Sequence, residues 1–425
     1  MQKVFLLKLT LWLMLLLSAL SAQNNRLNLN DLIGEALNNN PQLKAFYFAA
    51  LADSARIPQS GSLPDPTFSF NVLNLPVDNF VFNQEPMTGK QFLLKQTFPF
   101  PGKLGSKEEI ARKGMEVSLA NYDDLKNQLI RNVKAAYYDL YYVDASIATV
   151  EKNTSLLKEF VTIASQKYAV GKGLQQDVLK AQVELSKMID RRITLRQKRE
   201  RIEAGLNALL NRPAQTPLGK TNELKAEPLT IPRDSLESLV EANRPMLTAW
   251  QKRIEQSEEQ ISLANKDYWP DFSLFVAYTQ RDLMQNGSGG VDFLSGGITL
   301  NLPLYFWRKQ DKRLQETQIT KNRVQASYRN VRNQIYADLD NILSQLDKNR
   351  QLLDLYKTGI IPQSSQSLES AMIGYQTDKV DFLTLINNQM TLLNMELEYN
   401  RILSAYNKDL AELEYIVGGK KETEK

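Results

Sequence analysis

The chain has 425 residues, of which 43% are hydrophobic and 24% charged, and its formal net charge is +4. This composition excludes wholesale disorder, and the length suffices for two or three domains. The sequence contains no cysteine and no histidine, which excludes disulfides, thiolate nucleophiles, zinc sites built from these residues and Ser-His-Asp triads. Only carboxylate, lysine or tyrosine chemistry remains possible, and we expect no cofactor and no metal. The small net charge gives no electrostatic basis for binding nucleic acid.

Residues 1–22 are predicted to be a secretory signal peptide. Lys3 supplies a positive charge and Leu9–Leu17 an apolar stretch, and small residues then lead to a cleavage site after Ala22. The apolar stretch is too short for a persistent transmembrane helix, although a retained membrane anchor is the alternative. The absence of cysteine also excludes a lipid anchor on an N-terminal cysteine. Because no later segment has about 18 consecutive apolar residues, only β-strands are expected to cross a membrane.

The second half of the sequence repeats the first. Leu32–Pro41 matches Leu236–Pro245 with an offset of 204 residues, and Tyr168 matches Tyr375 with an offset of 207. A nearly constant offset indicates an internal duplication. The predicted organisation is a signal peptide, a first repeat, a proline-containing linker, a second repeat and a flexible tail, at residues 1–22, 23–212, 213–232, 233–417 and 418–425.

Each repeat is predicted to contain one pair of β-strands. Apolar and polar residues alternate after Pro64-Asp65 and again after Pro270-Asp271, where proline ends the preceding helix. Such strands suit either a small soluble sheet with one wet face or a membrane. Four strands are too few to close a barrel, so the membrane interpretation requires three copies and about twelve strands. The apolar positions are Phe68, Phe70 and Val72; Phe92, Leu94 and Phe98; Phe272, Leu274, Val276 and Tyr278; and Ile298, Leu300 and Leu302.

Most of the remaining sequence is predicted to be helical. Apolar residues recur at spacings of three and four over Leu125–Val150 and over Val324–Leu346. Each long helix leads to a turn, at Gly171-Lys172-Gly173 or Gln376-Thr377-Asp378, and then to a returning helix. Narrow apolar stripes on long helices need neighbours on both sides, so we expect the two antiparallel hairpins to pack within a ring of helices.

This organisation resembles the TolC-type outer-membrane efflux proteins, from about Leu27 to Val417. The similar motifs are the opening Leu32–Pro41, the two Pro-Asp joints, and the turn segments Tyr168–Gln182 and Tyr375–Gln389. The resemblance implies a mainly α fold with some β structure. Duplicated long antiparallel helical hairpins would form an α-barrel, and the four strands of each chain would contribute to a trimeric β-barrel of about twelve strands.

The resemblance also implies a function, a location and partners. The chain would be the outer-membrane efflux duct of a tripartite export system in a Gram-negative bacterium, and it would extend into the periplasm. Its partners would be two further copies of itself, a periplasmic adaptor (membrane fusion protein), an inner-membrane pump and outer-membrane lipid. The identity of the pump and of the exported substrate, whether metal ions, drugs or protein, stays open, as does the resting state of the gate.

Residues that close the periplasmic end of the duct follow from the same resemblance. Asp177 and Tyr375 match an aspartate and a tyrosine that help to hold this end shut in the family. Thr384 and Asn387 match two rings of aspartate, so neither ring is acidic here. Asp381, one turn away, could supply a ring of three carboxylates, and the alternative is an ordinary helix cap.

The tips of the two hairpins are the predicted docking surface for the adaptor. The family's gate arginine is replaced here by Val380, next to these tips. The docking residues are Val170, Gly171, Lys172 and Gly173 in the first turn and Thr377, Asp378 and Lys379 in the second.

A second interpretation is a periplasmic coiled-coil adaptor or scaffold without a pore. Adaptors also contain long hairpins, but they usually nest one hairpin within β-rich domains, whereas here the hairpins are duplicated and flank paired strands. An enzyme is the third and least favoured interpretation, because the sequence shows no paired-carboxylate motif and no glycine loop that would cradle a phosphate.

Overall fold

The computed structural model describes residues 26–226, 229 and 231–419. The predicted signal peptide and residues 420–425 of the predicted tail lie outside the described residues. The chain divides into two compact units, and each combines segments of both sequence repeats. The first unit contains the described parts of Met1–Lys44, Asp124–Arg244 and Gln334–Lys425, and the second contains Ala45–Asp123 and Pro245–Asn333.

Each repeat runs in the same order: two shorter helices, two strands, a long helix and a returning helix. The predicted pair of long helical hairpins is therefore confirmed. The helices of the first repeat are α1 (Leu29–Asn39), α2 (Pro41–Gly61), α3 (Lys103–Ala169) and α4 (Gln175–Leu209). Those of the second are α5 (Arg233–Asn243), α6 (Pro245–Lys266), α7 (Gln310–Leu355), α8 (Ile361–Gln376) and α9 (Phe382–Ile416).

The long arm of the second hairpin contains a π-turn that the first arm lacks. α7 leads into the π-turn Tyr356–Ile360, and α8 continues from it, whereas α3 runs unbroken for 67 residues. The N–H of Ile361 donates to the carbonyl of Tyr356, five residues earlier. A π-turn accommodates one more residue than an α-turn. Apolar spacing did not predict it, because the stripe of α7 ends before the π-turn begins.

The four strands form one antiparallel sheet in the order β1-β2-β3-β4. They are β1 (Thr67–Leu73), β2 (Gly89–Phe98), β3 (Phe272–Gln280) and β4 (Phe293–Leu300). Pairing of β2 with β3 joins the two repeats, with Phe92 opposite Tyr278. β4 ends at Leu300, so the predicted strand position Leu302 lies outside it. Proline at position 303 has no N–H to donate to a sheet ladder, which is consistent with this earlier end.

The core of the first unit is built from the apolar stripes of both hairpins. Val150 and Leu157 of α3, Met188 of α4 and Leu385 and Leu393 of α9 belong to one buried cluster. Each stripe therefore buries its apolar area against other helices rather than against a separate core, as the narrow stripes require.

Side chains of α3 and α4 fix the segment that follows α4. Arg199 donates to Asp144 at 2.7 Å and to the carbonyl of Gly219 at 3.0 Å, and the N–H of Thr221 donates to Asp144 at 3.2 Å. Part of the predicted linker therefore lies against the helices. Arg199 belongs to a basic run that the sequence suggests is solvated, but this arginine is partly buried, since it bridges two helices and a loop.

Candidate functional site

The two faces of the sheet differ in chemistry. Residues that pair directly across strands share a face, and Phe68, Leu94 and Val276 lie in one such row. The face to which they belong is apolar and exposed, whereas a water-soluble sheet buries its apolar face. An exposed apolar face is what a strand presents to lipid. Its exposed members are Phe68, Phe70, Val72, Phe92, Leu94, Leu274, Val276, Tyr278, Leu294, Ile298 and Leu300.

The opposite face of the sheet carries mostly hydroxyl and amide side chains. Thr97 and Ser273 are within hydrogen-bond distance of each other at 2.9 Å, and Asn71 donates to Gln91 at 3.3 Å. Within the described residues, β1 and β4 each have one neighbouring strand, so both edges of the sheet are open. An open edge presents unpaired N–H and C=O groups that favour pairing with another strand.

The first hairpin turns in a compact loop between α3 and α4. Gly171 has φ of +73°, and the N–H of Lys172 donates to the carbonyl of Lys167 at 2.8 Å. A left-handed residue with this long-range hydrogen bond is a standard way to end a helix. Val170 at the tip is exposed.

The second hairpin turns in the same way at equivalent positions. Asp378 has φ of +57°, 207 residues after Gly171, and the N–H of Lys379 donates to the carbonyl of Gly374 at 2.8 Å. Val380 packs so closely that a Cβ on Gly374 would lie 2.5 Å from a Val380 methyl carbon. The duplication therefore extends to the hydrogen bonds of the two turns.

A lysine of the first hairpin bridges to the second. The ammonium group of Lys167 donates to the carboxylate of Asp378 and to the carbonyl of Tyr375. It also lies 4.4 Å from the centre of the Tyr375 ring. The hydrogen bond from Lys167 lowers the pKa of Asp378 below its ordinary value. Lys167 thus holds the second turn through a charged, a neutral and an aromatic contact at once.

The two turns enclose a groove of about 500 Å³. The structure brings Asp177 and Tyr375 together in its lining, although their side chains are not hydrogen-bonded to each other. Asp381 lines the same groove, but Thr384 and Asn387 do not. The other lining residues are Lys167, Lys172, Gly173, Leu174, Asp378, Lys379, Val380, Phe382 and Leu383.

Tyr375 is buried, whereas its equivalent in the first repeat is not. The exposed fraction is 5% for Tyr375 and 49% for Tyr168. Tyr375 packs 5.3 Å from the ring of Phe382. Its hydroxyl has no hydrogen-bond partner among the described residues. Burial raises the pKa of Tyr375, with a further contribution from the charges of Asp177 and Asp378, so the hydroxyl is a neutral donor aimed at the aperture between the turns.

The first turns of α9 present one polar, exposed face. Asp381, Thr384 and Asn387 are all exposed and follow one another at intervals of three residues. Asp381 is the N-cap of α9: its carboxylate accepts from the Thr384 N–H at 2.7 Å and from the Thr384 hydroxyl at 3.2 Å. The backbone hydrogen bond from Thr384 is the main cause that lowers the pKa of Asp381. The capping role is therefore present, and the carboxylate remains exposed to solvent.

Lys167 is the residue of this site that the sequence did not single out. Its partner Asp378 is 211 positions away. The duplication offers no guide, because the position equivalent to Lys167 in the second repeat is Gly374. Only the packing of one hairpin against the other brings the lysine to the turn.

No group of three or more carboxylates in the described part of the chain could hold a metal ion. Among the described helices, none is both long and apolar enough to span a bilayer.

Comparison with known proteins gives a consistent match. The family model for outer membrane efflux proteins matches residues 32–212 and again residues 236–419. The toxin and drug export protein A of Aggregatibacter actinomycetemcomitans is 21% identical over 405 residues, covering 83% of this chain and 87% of that protein. The cobalt-zinc-cadmium resistance protein CzcC of Cupriavidus metallidurans is 19% identical, covering 75% of this chain and 74% of that protein. The CmeC outer membrane channel of Campylobacter jejuni superposes with a TM-score of 0.79 at 17% identity, covering 93% of this chain and 87% of that one.

A sheet with an exposed apolar face, combined with duplicated long helical hairpins, defines an outer-membrane channel subunit. With its two matched ranges, the chain belongs to the outer membrane efflux protein family. It is therefore an efflux channel of the outer membrane, and the interpretation as a pore-free adaptor is not favoured.

Proposed function

We propose that three copies of this chain form the outer-membrane duct of a tripartite export system. An inner-membrane pump and a periplasmic adaptor would deliver solutes to the periplasmic end, and the duct would release them outside. The relatives are named for export of toxin and drugs and for resistance to cobalt, zinc and cadmium. The described residues hold no metal-binding group, so we assign the choice of cargo to the pump.

The observation that carries this proposal is the sheet with two open edges and one exposed apolar face. Four strands cannot close, because a barrel needs about eight or more strands. Pairing of β1 in one copy with β4 in the next satisfies both edges, and closure after three copies gives about twelve strands. The apolar face then meets lipid, and the hydroxyl and amide side chains line the pore.

Engineered disulfides between copies test this arrangement. The natural chain has no cysteine, so paired substitutions report without background. Asn71→Cys on β1 with Ser295→Cys on β4 places both thiols on the polar face of opposite edges. After oxidation we expect a covalent trimer in outer-membrane fractions, and a shift of the pair by two residues along β4 allows for the unknown register between copies.

A matched control keeps the thiols within one chain. Asn71 and Gln91 are direct partners in the β1–β2 pair, so Asn71→Cys with Gln91→Cys should cross-link inside each copy and leave monomers on a denaturing gel. If every β1–β4 pair also leaves only monomers while this control forms its disulfide, the trimeric barrel is wrong.

We further propose that the groove between the two turns is the periplasmic gate. Asp177, Tyr375 and Lys167 surround this groove, and the Lys167 bridge to Asp378 holds the turns together. Thr384, Asn387 and Asp381 would line the constriction on α9. We expect Lys167→Met to raise the conductance of the duct in planar bilayers, because the bridge to the second turn is lost. Lys172→Met removes the same charge from the same groove without this bridge and should leave the conductance unchanged.

The exposed tips are the proposed docking surface for the adaptor. Val170, Gly171, Lys172 and Gly173 lie in the first turn, with Val170 exposed. The second turn presents Thr377, Asp378 and Lys379. We expect Val170→Asp to abolish co-purification of the adaptor while outer-membrane trimers persist, because a charge would replace an apolar contact. Co-purification at the natural level would contradict docking at this tip.

A further inference from the structure

The junction between strand and long helix occurs once in each repeat, and the two junctions differ in what covers them. In the first repeat, the segment after β2 is Pro99-Phe100-Pro101-Gly102-Lys103. Phe100 stacks on Trp269 with ring centres 5.3 Å apart. Lys103 is buried and pairs with Asp271 at 2.9 Å and with Asp267 at 3.6 Å. The aromatic ring and the cation of this junction therefore both have partners within the chain.

The corresponding segment of the second repeat has no such cover. Tyr305, Phe306 and Trp307 follow β4, and their exposed fractions are 71%, 48% and 52%. Phe306 and Trp307 pack edge to face with ring centres 5.3 Å apart. The apolar residues just before them, Leu302 and Leu304, are also exposed. Five large apolar side chains thus lie together without a covering element among the described residues of this unit.

Two cations follow these rings directly. Arg308 and Lys309 are exposed and form no ion pair within the described residues, although each backbone N–H donates to the carbonyl of Tyr305 at 3.1 Å. These backbone hydrogen bonds fix the turn, so the cations lie next to the aromatic cluster by construction. Further along, Arg313 pairs with Asp267 at 3.4 Å and is therefore already matched.

We propose that Leu302–Lys309 is a binding surface for anionic phospholipid headgroups at the periplasmic boundary of the outer membrane. The proposal rests on the proposed membrane position of the sheet. The segment continues directly from β4, whose apolar face is exposed, and leads into α7. Aromatic side chains with a polar edge favour the headgroup layer, and nearby Arg and Lys side chains attract lipid phosphates. The apolar leucines would face acyl chains, and the guanidinium and ammonium groups would contact phosphate oxygens.

The internal comparison explains why only one junction would bind lipid. Lys103 of the first repeat has two carboxylate partners, whereas Arg308 and Lys309 have none in the described chain. A cation that is already paired gains little from a phosphate, because it must first give up its partner. An unpaired, exposed cation gains the full contact. Three copies of the chain would therefore present three such surfaces, not six.

Fluorescence quenching of a single tryptophan tests the proposal. The chain has four tryptophans, so Trp12→Phe, Trp250→Phe and Trp269→Phe leave Trp307 as the reporter. The protein is reconstituted in phosphatidylcholine bilayers that contain either brominated phosphatidylglycerol or brominated phosphatidylcholine. We expect Trp307 to be quenched by both and more strongly by the anionic lipid. The preference should fall about 5-fold for each cation removed in Arg308→Gln and Lys309→Gln.

Two controls separate this proposal from the others. Lys348→Gln with Lys357→Gln removes the same charge from exposed positions further along the chain and should leave the lipid preference unchanged. Conductance of the same proteoliposomes reports whether the duct itself has assembled. Equal quenching by the two lipids in a conducting protein overturns the anionic site, and no quenching in a conducting protein shows that a second copy covers Trp307, which also overturns it. Loss of conductance points instead to failure of the proposed trimeric duct.

Discussion

Asn40 and Arg244 stand 204 residues apart and make the same contact in the two repeats. The side-chain amide of Asn40 donates to the carbonyl of Leu209, in the last turn of α4, at 3.0 Å. The guanidinium of Arg244 donates to the carbonyl of Tyr415, in the last turn of α9. Each residue therefore satisfies a carbonyl that the returning helix cannot satisfy itself. The two repeats solve one structural problem with different side chains.

The second solution includes a buried charge, so its loss should be costly. Arg244 lies 3.5 Å from the carboxylate of Asp124 and 3.8 Å from the centre of the Tyr415 ring. Arg244→Ala leaves the buried carboxylate without its cation, and we expect about 3–5 kcal/mol of destabilisation. The measurement is the thermal midpoint of helix circular dichroism. Arg233→Ala, which removes exposed ion pairs to Glu237 and Asp340, should cost less than about 1 kcal/mol. Equal losses from the two variants would contradict this assignment.

A buried polar pair crosses between the two hairpins. The side-chain amide of Gln389 donates to the side-chain carbonyl of Asn153, and both residues lie within the apolar core of the first unit. Gln389→Leu should destabilise the protein by about 1–3 kcal/mol, because the oxygen of Asn153 loses its donor. Adding Asn153→Leu should recover much of that loss, since the second orphaned group is then removed. A double variant that is no more stable than the single one would show that the pair has no coupling.

Close packing at the second turn makes Gly374 irreplaceable in this conformation. Gly374→Ala forces the new methyl group into Val380, and we expect about 1–3 kcal/mol of destabilisation together with faster hydrogen exchange at residues 377–381. Gly205 provides the matched control, because a Cβ there meets nothing within 4 Å. Gly205→Ala in helix α4 should stabilise the protein by roughly 0.5–1 kcal/mol. Stabilisation by both substitutions would refute the packing argument.

The bridge from Lys167 to Asp378 should make the second turn sensitive to acid. The pKa of Asp378 is lowered in the folded protein, so its ionised form stabilises the turn at any pH above the ordinary aspartate pKa of about 4. That stabilisation is lost as pH falls from this value through the folded pKa. We expect hydrogen exchange at residues 376–381, corrected for its intrinsic pH dependence, to rise in this interval. Lys167→Met keeps Asp381 but lacks the bridge, so its rise should be smaller; equal rises would exclude the bridge as the cause.

Asp381 provides a test of charge at the proposed constriction. Asp381→Asn keeps an N-cap side chain and removes the carboxylate, so helix α9 should remain capped while the cation selectivity of the duct in planar bilayers falls. Reversal potentials in asymmetric salt measure this selectivity. Asp378→Asn, which removes an exposed carboxylate engaged by Lys167, should lower it less. Unchanged selectivity in Asp381→Asn, with unchanged block by multivalent cations, would leave Asp381 with its capping role alone.

Periodicity and proline positions were enough to predict the strands, the hairpins and both turns. These features arise from local rules: alternation for β1 to β4, spacing of three and four for the long helices, and proline at the joints. Residues near the turns could be nominated for the same reason. The duplication also located equivalent residues, such as Gly171 and Asp378, before their shared backbone geometry was seen.

Contacts between distant segments were beyond such rules. Lys167 meets Asp378, and Arg199 meets Gly219, only because the helices pack as they do. An exposed lysine and a bridging lysine look alike in a sequence, since both lie on helices among polar neighbours. The different burial of Tyr168 and Tyr375 was likewise hidden, because the two residues have equivalent positions and the same chemistry.

The π-turn Tyr356–Ile360 changes the phase of the helix that contains it. The first and second long arms both span 67 residues, Lys103–Ala169 and Gln310–Gln376. One wide turn uses an extra residue without a matching advance, so side chains beyond it are rotated by roughly 100° relative to their counterparts in the unbroken arm. Identical tyrosines at the two tips consequently point in different directions. A ring assembled from three such chains would alternate between two kinds of hairpin, and its symmetry would be threefold rather than sixfold.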